Sequence, residues 1–216
     1  MGKFSWEAFN RVPVVGIIRN ISGEDIERIA ALYTEAGMTT IEITMNTPGA
    51  LDMIHALSSS IGDRLNVGAG TVCSMEELDL ALNAGAAFIV TPVINEPVIK
   101  KCVENGITIF PGAYTPSEIY NAWSLGAELI KVFPAAKLGV EYIKEVLAPL
   151  NKIKLMPTGG VSLENCEAFF KAGAKAVGMG GNLFPKDLIS SKNWEELAEV
   201  FQRYHAVITK IKTIAI

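Results

Sequence analysis

The chain has 216 residues, 50% of them hydrophobic and 19% charged, with a formal net charge of −4 at pH 7. This composition suits a single α/β domain over residues 1–216 and gives no basic surface for nucleic acid. The sequence contains no stretch of 18 consecutive apolar residues, so no membrane span is predicted. The first ten residues lack the apolar core of a signal peptide, and we therefore expect a cytoplasmic protein.

A repeated unit organises the chain: a helical segment ends at a glycine, and a short apolar run follows. Such a glycine suits the left-handed backbone that ends many helices, and the runs contain the β-branched residues that strands favour. The pattern therefore predicts alternating helices and strands. The glycines are Gly37, Gly85, Gly106, Gly126 and Gly173.

Eight apolar runs follow one another in the sequence. The spacing from Gly85 to Gly106 to Gly126 leaves room for one strand, one helix and two loops. Eight such units predict a (β/α)8 barrel; an open doubly wound sheet is the alternative, disfavoured by the lack of a G-x-G-x-x-G motif after the first strand. The runs are VVGIIR, TTIEIT, LNVGAGTV, AFIVTP, ITIFPG, ELIKVFP, IKLMPTGG and KAVGMGG.

Two further segments flank these runs. Residues 5–11 carry Trp6 and Phe9, and they predict a short helix that plugs the bottom of the barrel. Residues 193–212 have apolar side chains at helical spacing with charged residues between them. They predict a last helix that packs on the outside.

Lys131 lies in the middle of the sixth run and is unusual there. A buried cation must be paired, reach solvent or lose its proton. Burial lowers the pKa of an amine, and a neutral lysine can attack a ketone to form a Schiff base. The structural alternative is an ion pair, or a side chain that reaches solvent at the barrel mouth.

The carboxyl ends of the strands should carry the active site, as in other barrels of this kind. Glu42 in the second run and Lys131 in the sixth are ionisable side chains in the middle of their runs, with apolar neighbours on both sides. We expect them to pair with each other, either for catalysis or as a purely structural pair.

Two glycine pairs end the last two runs, Gly159-Gly160 and Gly180-Gly181. Backbone amides without a Cβ nearby can approach an anion closely, and the loops after strands seven and eight are the common phosphate site of the fold. Tight turns alone are the alternative. Their joint placement predicts a site for a phosphate ester.

Motifs along nearly the whole chain resemble the 2-keto-3-deoxy-6-phosphogluconate (KDPG) and 4-hydroxy-2-oxoglutarate (KHG) aldolase family, which also includes phosphogalactonate aldolases. That resemblance implies a class I aldolase on a (β/α)8 barrel that needs no cofactor or metal and assembles as a homotrimer. The motifs are GIIR, IEITMNTP, GAGTV, FIVTP, FPGAYTPSE, LIKVFPA, PTGGV and VGMGGNLF.

The resemblance also implies roles for particular residues. Lys131 would be the Schiff-base lysine and Glu42 the general acid and base. Substrate contacts would come from Arg19, Thr71, Pro92 and Thr158. Phosphate contacts would come from Gly159, Gly160, Gly180, Gly181 and Asn182.

One position departs from the common pattern of the family. Many members have an arginine near the end of strand two that helps to bind the substrate carboxylate, and this chain has Asn46 there. The phosphogalactonate branch shares the asparagine and relies on the arginine of strand one, here Arg19. This leaves open which sugar epimer is preferred. For Arg19 itself, a structural pair with an acid such as Glu42 is the alternative.

The expected reaction cleaves 2-dehydro-3-deoxy-6-phosphogluconate to pyruvate and D-glyceraldehyde 3-phosphate, with 4-hydroxy-2-oxoglutarate as a second substrate. The alternatives are a phosphogalactonate aldolase, an isomerase or epimerase with Glu42 as base, and a non-catalytic sugar-phosphate sensor. A metal-dependent aldolase is disfavoured because His55 and His205, the only histidines, fall in predicted helices. The three cysteines are widely spaced, and we expect them to be reduced and to lie on or near the core. They are Cys73, Cys102 and Cys166.

Overall fold

The computed structural model describes residues 3–214, and the side chains of residues 3–211. Helices and strands alternate along it as the glycine pattern predicts. The strands are β1 (Val14–Ile18), β2 (Thr40–Thr44), β3 (Asn66–Gly70), β4 (Phe88–Val90), β5 (Thr108–Phe110), β6 (Gly112–Ala113), β7 (Ile130–Val132), β8 (Leu155–Pro157) and β9 (Val177–Met179). The helices are α1 (Trp6–Arg11), α2 (Ile26–Glu35), α3 (Ala50–Ile61), α4 (Met75–Asn83), α5 (Glu96–Glu104), α6 (Pro116–Ser124), α7 (Ala135–Leu147), α8 (Cys166–Lys171), α9 (Lys186–Ser190) and α10 (Trp194–Ile214), with a 3₁₀ turn at Gly23–Asp25.

The strands form a parallel barrel in two hydrogen-bonded parts. One part has the order β5-β4-β3-β2-β1-β9 and the other β6-β7-β8. They join where β5 runs into β6, and again between β8 and β9, where Thr158 bridges Gly178 and the N–H of Lys175 donates to the carbonyl of Leu155 at 2.9 Å. The predicted (β/α)8 barrel is confirmed, and the open doubly wound sheet is wrong.

The fifth run of the barrel is divided into β5 and β6, although its sequence predicts one strand. Pro111 separates the two pieces, and proline has no N–H to donate to a neighbouring strand. The N–H of Gly112 turns instead to the hydroxyl of Thr91, 3.2 Å away. A Cβ at Gly112 would collide with the backbone of Pro92, so the two strand ends approach closely because this residue is glycine.

The bottom of the barrel is closed by aromatic rings from the N-terminal segment. Phe4 and Phe9 are buried and pack against Phe88 and Phe110, with ring centroids 5.2 Å apart for Phe4 and Phe88 and 5.7 Å for Phe9 and Phe110. The predicted helix at residues 5–11 and its place are confirmed. The last helix, α10, begins one residue later than predicted and packs on α2, α8 and α9.

The backbone after each predicted helix end has the expected left-handed glycine. Their φ angles are 86° for Gly37, 100° for Gly85, 66° for Gly106, 100° for Gly126 and 106° for Gly173. None of the described helices is long and apolar enough to cross a membrane. All three cysteines are free, but Cys73 is exposed in the loop after β3 rather than near the core.

Candidate active site

Strand alternation turns Glu42 and Lys131 towards the inside of the barrel. Successive side chains of a strand point to opposite faces. The neighbours of Glu42 in β2 and of Lys131 in β7 belong to the core between the strands and the helices. They are Ile41, Ile43, Ile130 and Val132. Glu42 and Lys131 therefore face inward, and both are almost fully buried, with exposed fractions of 1% and 2%.

Lys131 lies in surroundings that favour its neutral form. Burial lowers the pKa of the amine below its ordinary value, because the charged form loses hydration. The negative charge of Glu42 acts in the opposite direction but is the smaller influence, and the positive charge of Arg19 lowers the pKa further. The amine lies 5.3 Å from the centroid of the Phe133 ring. Lys131 is therefore a buried amine that loses its proton more readily than an ordinary lysine.

Glu42 is the complementary group, and it is free of hydrogen bonds. Both carboxylate oxygens are buried and accept no hydrogen bond from any described residue. Burial raises the pKa of this carboxyl, and the positive charges of Lys131 and Arg19 offset only part of the rise. The charges of Glu42 and Lys131 influence each other, but the expected pairing leaves the Glu42 carboxylate without a hydrogen bond. The sign of the Glu42 shift, which the sequence leaves open, is upward.

Gly70 explains how a carboxylate fits inside the barrel. A Cβ at this position would lie 2.5 Å from Oε1 of Glu42 and 2.7 Å from its carboxyl carbon. Real Cβ atoms do not come so close to other atoms. The glycine at the end of β3 therefore makes the space that Glu42 occupies.

Thr71 follows Gly70 and has an unusual backbone. Its φ is 58°, in the left-handed region that a β-branched residue rarely adopts. Its hydroxyl is buried and has no hydrogen-bond partner among the described residues. Local strain and an unsatisfied hydroxyl together cost free energy, and such combinations concentrate at functional sites.

A cavity of about 400 Å³ opens above Lys131 at the carboxyl ends of the strands. It brings together most of the residues predicted for the site. Glu42, Thr71 and Pro92 are not part of its lining. Two larger clefts lie at the opposite end of the barrel, next to Trp6. The predicted residues that line it are Arg19, Lys131, Thr158, Gly159, Gly160, Gly180, Gly181 and Asn182.

The glycine loops form one end of this cavity. Gly159 and Gly160 have φ angles of 90° and 75°, and a Cβ at Gly160 would collide with the methyl group of Ala136. Gly181 has open space where a Cβ would be. The side chain of Asn182 is engaged, because its amide donates to the carbonyl of Val161 at 3.0 Å. The glycine backbone therefore lines this end of the cavity, whereas the Asn182 amide supports the loop.

Arg19 lies at the edge of the cavity, exposed and just beyond the end of β1. The alternative role of Arg19, a structural pair with Glu42, is not formed, since the Glu42 oxygens accept no hydrogen bond from the described residues. Asn46 is exposed and does not line the cavity.

Sequence reasoning missed one cationic residue of the cavity, Lys186, the first residue of α9. Its position four residues after Asn182, beyond the last glycine pair, is the signal that could have found it. His55 and His205 lie in α3 and α10, as predicted. Among the residues that the structure describes, no three His, Cys, Asp or Glu side chains form a group that could hold a metal ion.

Comparison with known proteins agrees with this geometry. The family model described as KDPG and KHG aldolase matches residues 7–200. The chain belongs to the KDPG and KHG aldolase family. The 2-dehydro-3-deoxy-phosphogluconate aldolase of Haemophilus influenzae is 34% identical over 204 residues, which cover 94% of this chain and 95% of the relative. The 2-dehydro-3-deoxy-6-phosphogalactonate aldolase of Escherichia coli is 31% identical over 199 residues, covering 92% and 97%.

A solved structure extends the likeness to the whole barrel. The KDPG aldolase of Legionella pneumophila, with pyruvate captured as a covalent carbinolamine, has a TM-score of 0.84 at 27% identity and covers 90% of this chain and 95% of its own. This chain is accordingly an aldolase, a carbon–carbon lyase. The isomerase and the non-catalytic sensor are set aside by this family membership.

Proposed function

We propose that this aldolase cleaves 2-dehydro-3-deoxy-6-phospho sugar acids through a Schiff base on Lys131. The observation that carries the proposal is a buried amine with a lowered pKa beside a buried, unbonded carboxyl with a raised pKa. Two groups whose surroundings push their pKa values towards each other suit a nucleophile and a proton shuttle. A purely structural pair would instead be joined by hydrogen bonds between the amine and the carboxylate.

The first half of the reaction builds the iminium. Neutral Lys131 attacks the C2 ketone, and the proton that the new ammonium loses passes to the alkoxide, which gives a neutral carbinolamine. Glu42, in its protonated form, then donates a proton to the C2 hydroxyl, which leaves as water while the nitrogen lone pair forms the C=N bond. A raised pKa favours this step because it keeps the proton available on Glu42.

The second half breaks the bond between C3 and C4. Its electron pair moves into the cationic iminium and gives an enamine, while the carboxylate of Glu42 accepts the proton of the C4 hydroxyl. D-Glyceraldehyde 3-phosphate leaves. Protonated Glu42 then gives its proton to C3 of the enamine, which restores the iminium. The Glu42 carboxylate accepts a proton from the water that adds to this iminium, and the carbinolamine collapses to release pyruvate and neutral Lys131. Glu42 alternates between acid and base, so it returns to its starting state after each turnover.

The substrate is an anion at both ends, and the cavity offers a cationic or dipolar group to each. Arg19 suits the carboxylate, because its planar fork can form charge-assisted hydrogen bonds. Thr71, with its unsatisfied hydroxyl, and Thr158 suit the pyruvyl portion near Lys131, and Pro92 lies beyond the lining. The backbone of Gly159, Gly160, Gly180 and Gly181 suits the phosphate.

The preferred substrate under this proposal is 2-dehydro-3-deoxy-6-phosphogluconate, with 4-hydroxy-2-oxoglutarate as a second substrate. Asn46 favours a second candidate, 2-dehydro-3-deoxy-6-phosphogalactonate, because the arginine common at that place is missing. The two differ only in the configuration at C4, where Glu42 acts. Comparison of kcat/KM for the two phosphates decides between them.

A homotrimer is also proposed. Large apolar side chains are exposed on neighbouring elements of one side of the barrel: Val93 at 55%, Tyr114 at 44%, Tyr120 at 52% and Trp123 at 36%. Exposed apolar groups in this number suit a subunit interface. Sedimentation velocity should give three times the chain mass, and a monomer at micromolar concentration would contradict this part of the proposal.

Borohydride trapping tests the Schiff base. Incubation with pyruvate and borohydride should attach the reduced pyruvyl group to the wild-type chain and to Lys137→Ala, a control at an exposed lysine of α7. Peptide mapping should locate the group on Lys131. The proposal fails if Lys131→Ala, with an unchanged circular dichroism spectrum, still gains the adduct or cleaves the substrate at a near-normal rate.

A further inference from the structure

The cavity above Lys131 has an uneven distribution of charge. Its described lining contains three basic side chains, Arg19, Lys131 and Lys186, and no carboxylate. Because burial favours the neutral form of Lys131, the lasting positive charge comes from Arg19 and Lys186. Arg19 directly follows β1, while Lys186 begins α9, beyond the glycine pair that follows β9. The two charges therefore reach the cavity from different segments of the chain.

The backbone that carries Lys186 is held firmly. The N–H groups of Leu183 and Phe184 donate to the carbonyl of Gly180, at 2.8 and 3.0 Å. Phe184 is buried, with its ring stacked on Tyr33 at 5.6 Å between centroids. The exposed Lys186 side chain therefore extends from a fixed position close to Gly181, and only its own rotamers must be ordered when a ligand binds.

Lys186 has no acidic partner among the described residues. No carboxylate lies within salt-bridge distance of it, and its neighbour Asp187 lines a different cleft. Lys192, just beyond the same helix, shows the contrast: it is 3.5 Å from Asp25 and 4.0 Å from Glu24. The charge of Lys192 is used within the protein, whereas the charge of Lys186 is left for a ligand.

We propose that Lys186 is a specificity residue that binds the phosphate ester and makes the enzyme prefer phosphorylated substrates. The inference rests on the proposed function and adds a residue to it. Glycine amides fix the position of an anion but carry no net charge, whereas a phosphate monoester carries about −1.5 to −2 charges at pH 7. Lys186 supplies the compensating charge at that end, as Arg19 does at the other.

The test compares matched substrates with and without phosphate. Lys186→Met, which keeps the unbranched stem of the side chain and removes its charge, should lower kcat/KM for the phosphorylated substrate about tenfold, mainly through KM, since the contact is present before and during the reaction. The rate on 2-dehydro-3-deoxygluconate, which lacks the phosphate, should not change. Lys186→Arg should restore most of the preference, and Lys137→Met, at an exposed lysine outside the cavity, should have no effect.

A binding measurement separates this inference from the proposed function. Glycerol 3-phosphate should bind the wild type about tenfold more tightly than it binds Lys186→Met, and added salt should reduce this difference. Equal binding to both, or an equal loss on phosphorylated and unphosphorylated substrates, overturns the role of Lys186 while the Schiff base stands. If the wild type cleaves neither substrate, the proposed function fails, and glycerol 3-phosphate binding still decides the role of Lys186.

Discussion

Replacement of Glu42 by glutamine tests the proton shuttle with little change of shape. The side chain occupies the space left by Gly70, and glutamine has the same outline. The carboxylate oxygens accept no hydrogen bond from the described residues, so the substitution breaks no existing hydrogen bond. What it removes is the charge and the ability to give and take a proton.

The expected loss of kcat depends on whether another side chain near the site could replace Glu42 as acid and base. The described lining of the cavity contains no carboxylate and no histidine that could take over from Glu42. General acid–base catalysis contributes about 10²- to 10⁴-fold, or roughly 2.7–5.4 kcal/mol of barrier. With no substitute group nearby, Glu42→Gln should lose about 10³-fold in kcat.

A second consequence concerns the pH dependence of Lys131. The negative charge of Glu42 raises the pKa of Lys131 against the larger effect of burial. Without that charge the pKa of Lys131 falls further. The amine of Glu42→Gln should therefore become reactive at lower pH than in the wild type, although dehydration of the carbinolamine is slow.

Two assays follow these effects. Release of pyruvate measures turnover. Borohydride trapping of pyruvate, with incubation long enough for the slow dehydration and repeated over a pH series, measures how much reactive amine is present at each pH. Glu145→Gln, at an exposed glutamate of α7, is the control for charge removal alone. The reasoning is refuted if Glu42→Gln keeps a tenth or more of wild-type turnover, or if its trapping curve moves to higher pH.

The remaining predictions concern Arg19 and the stability cost of the buried pair. Arg19→Ala should cost about 2–4 kcal/mol of transition-state binding, roughly 30- to 1000-fold in kcat/KM, with partial recovery in Arg19→Lys; unchanged pyruvate affinity in Arg19→Ala would contradict this. Lys131→Met combined with Glu42→Leu should be inactive but about 1–4 kcal/mol more stable at neutral pH, as measured by urea unfolding. The gain should shrink below pH 4.5, the ordinary value for Glu42, where a carboxyl with a raised pKa is protonated in both the folded and unfolded states. It should also shrink above pH 10.5, the ordinary value for Lys131, where an amine with a lowered pKa is neutral in both states, and a gain that does not vary with pH would count against the buried charges as its source.

The sequence alone was enough to predict the barrel. Helix-ending glycines such as Gly37 and Gly173, and the short apolar runs after them, are local signals, because helix ends and strands depend mainly on neighbouring residues. The sequence also identified Glu42 and Lys131 as ionisable side chains inside apolar runs. The motifs shared with the aldolase family predicted the chemistry, and the comparisons confirm the family.

The tertiary structure decided how the site is arranged. It left the Glu42 carboxylate without hydrogen bonds, made its pKa shift upward, gave Thr71 a left-handed backbone and brought Lys186 into the cavity. None of these follows from local pattern. Each depends on distances between residues that lie far apart in the chain, and the burial and charge that shift a pKa exist only once the barrel has closed around them.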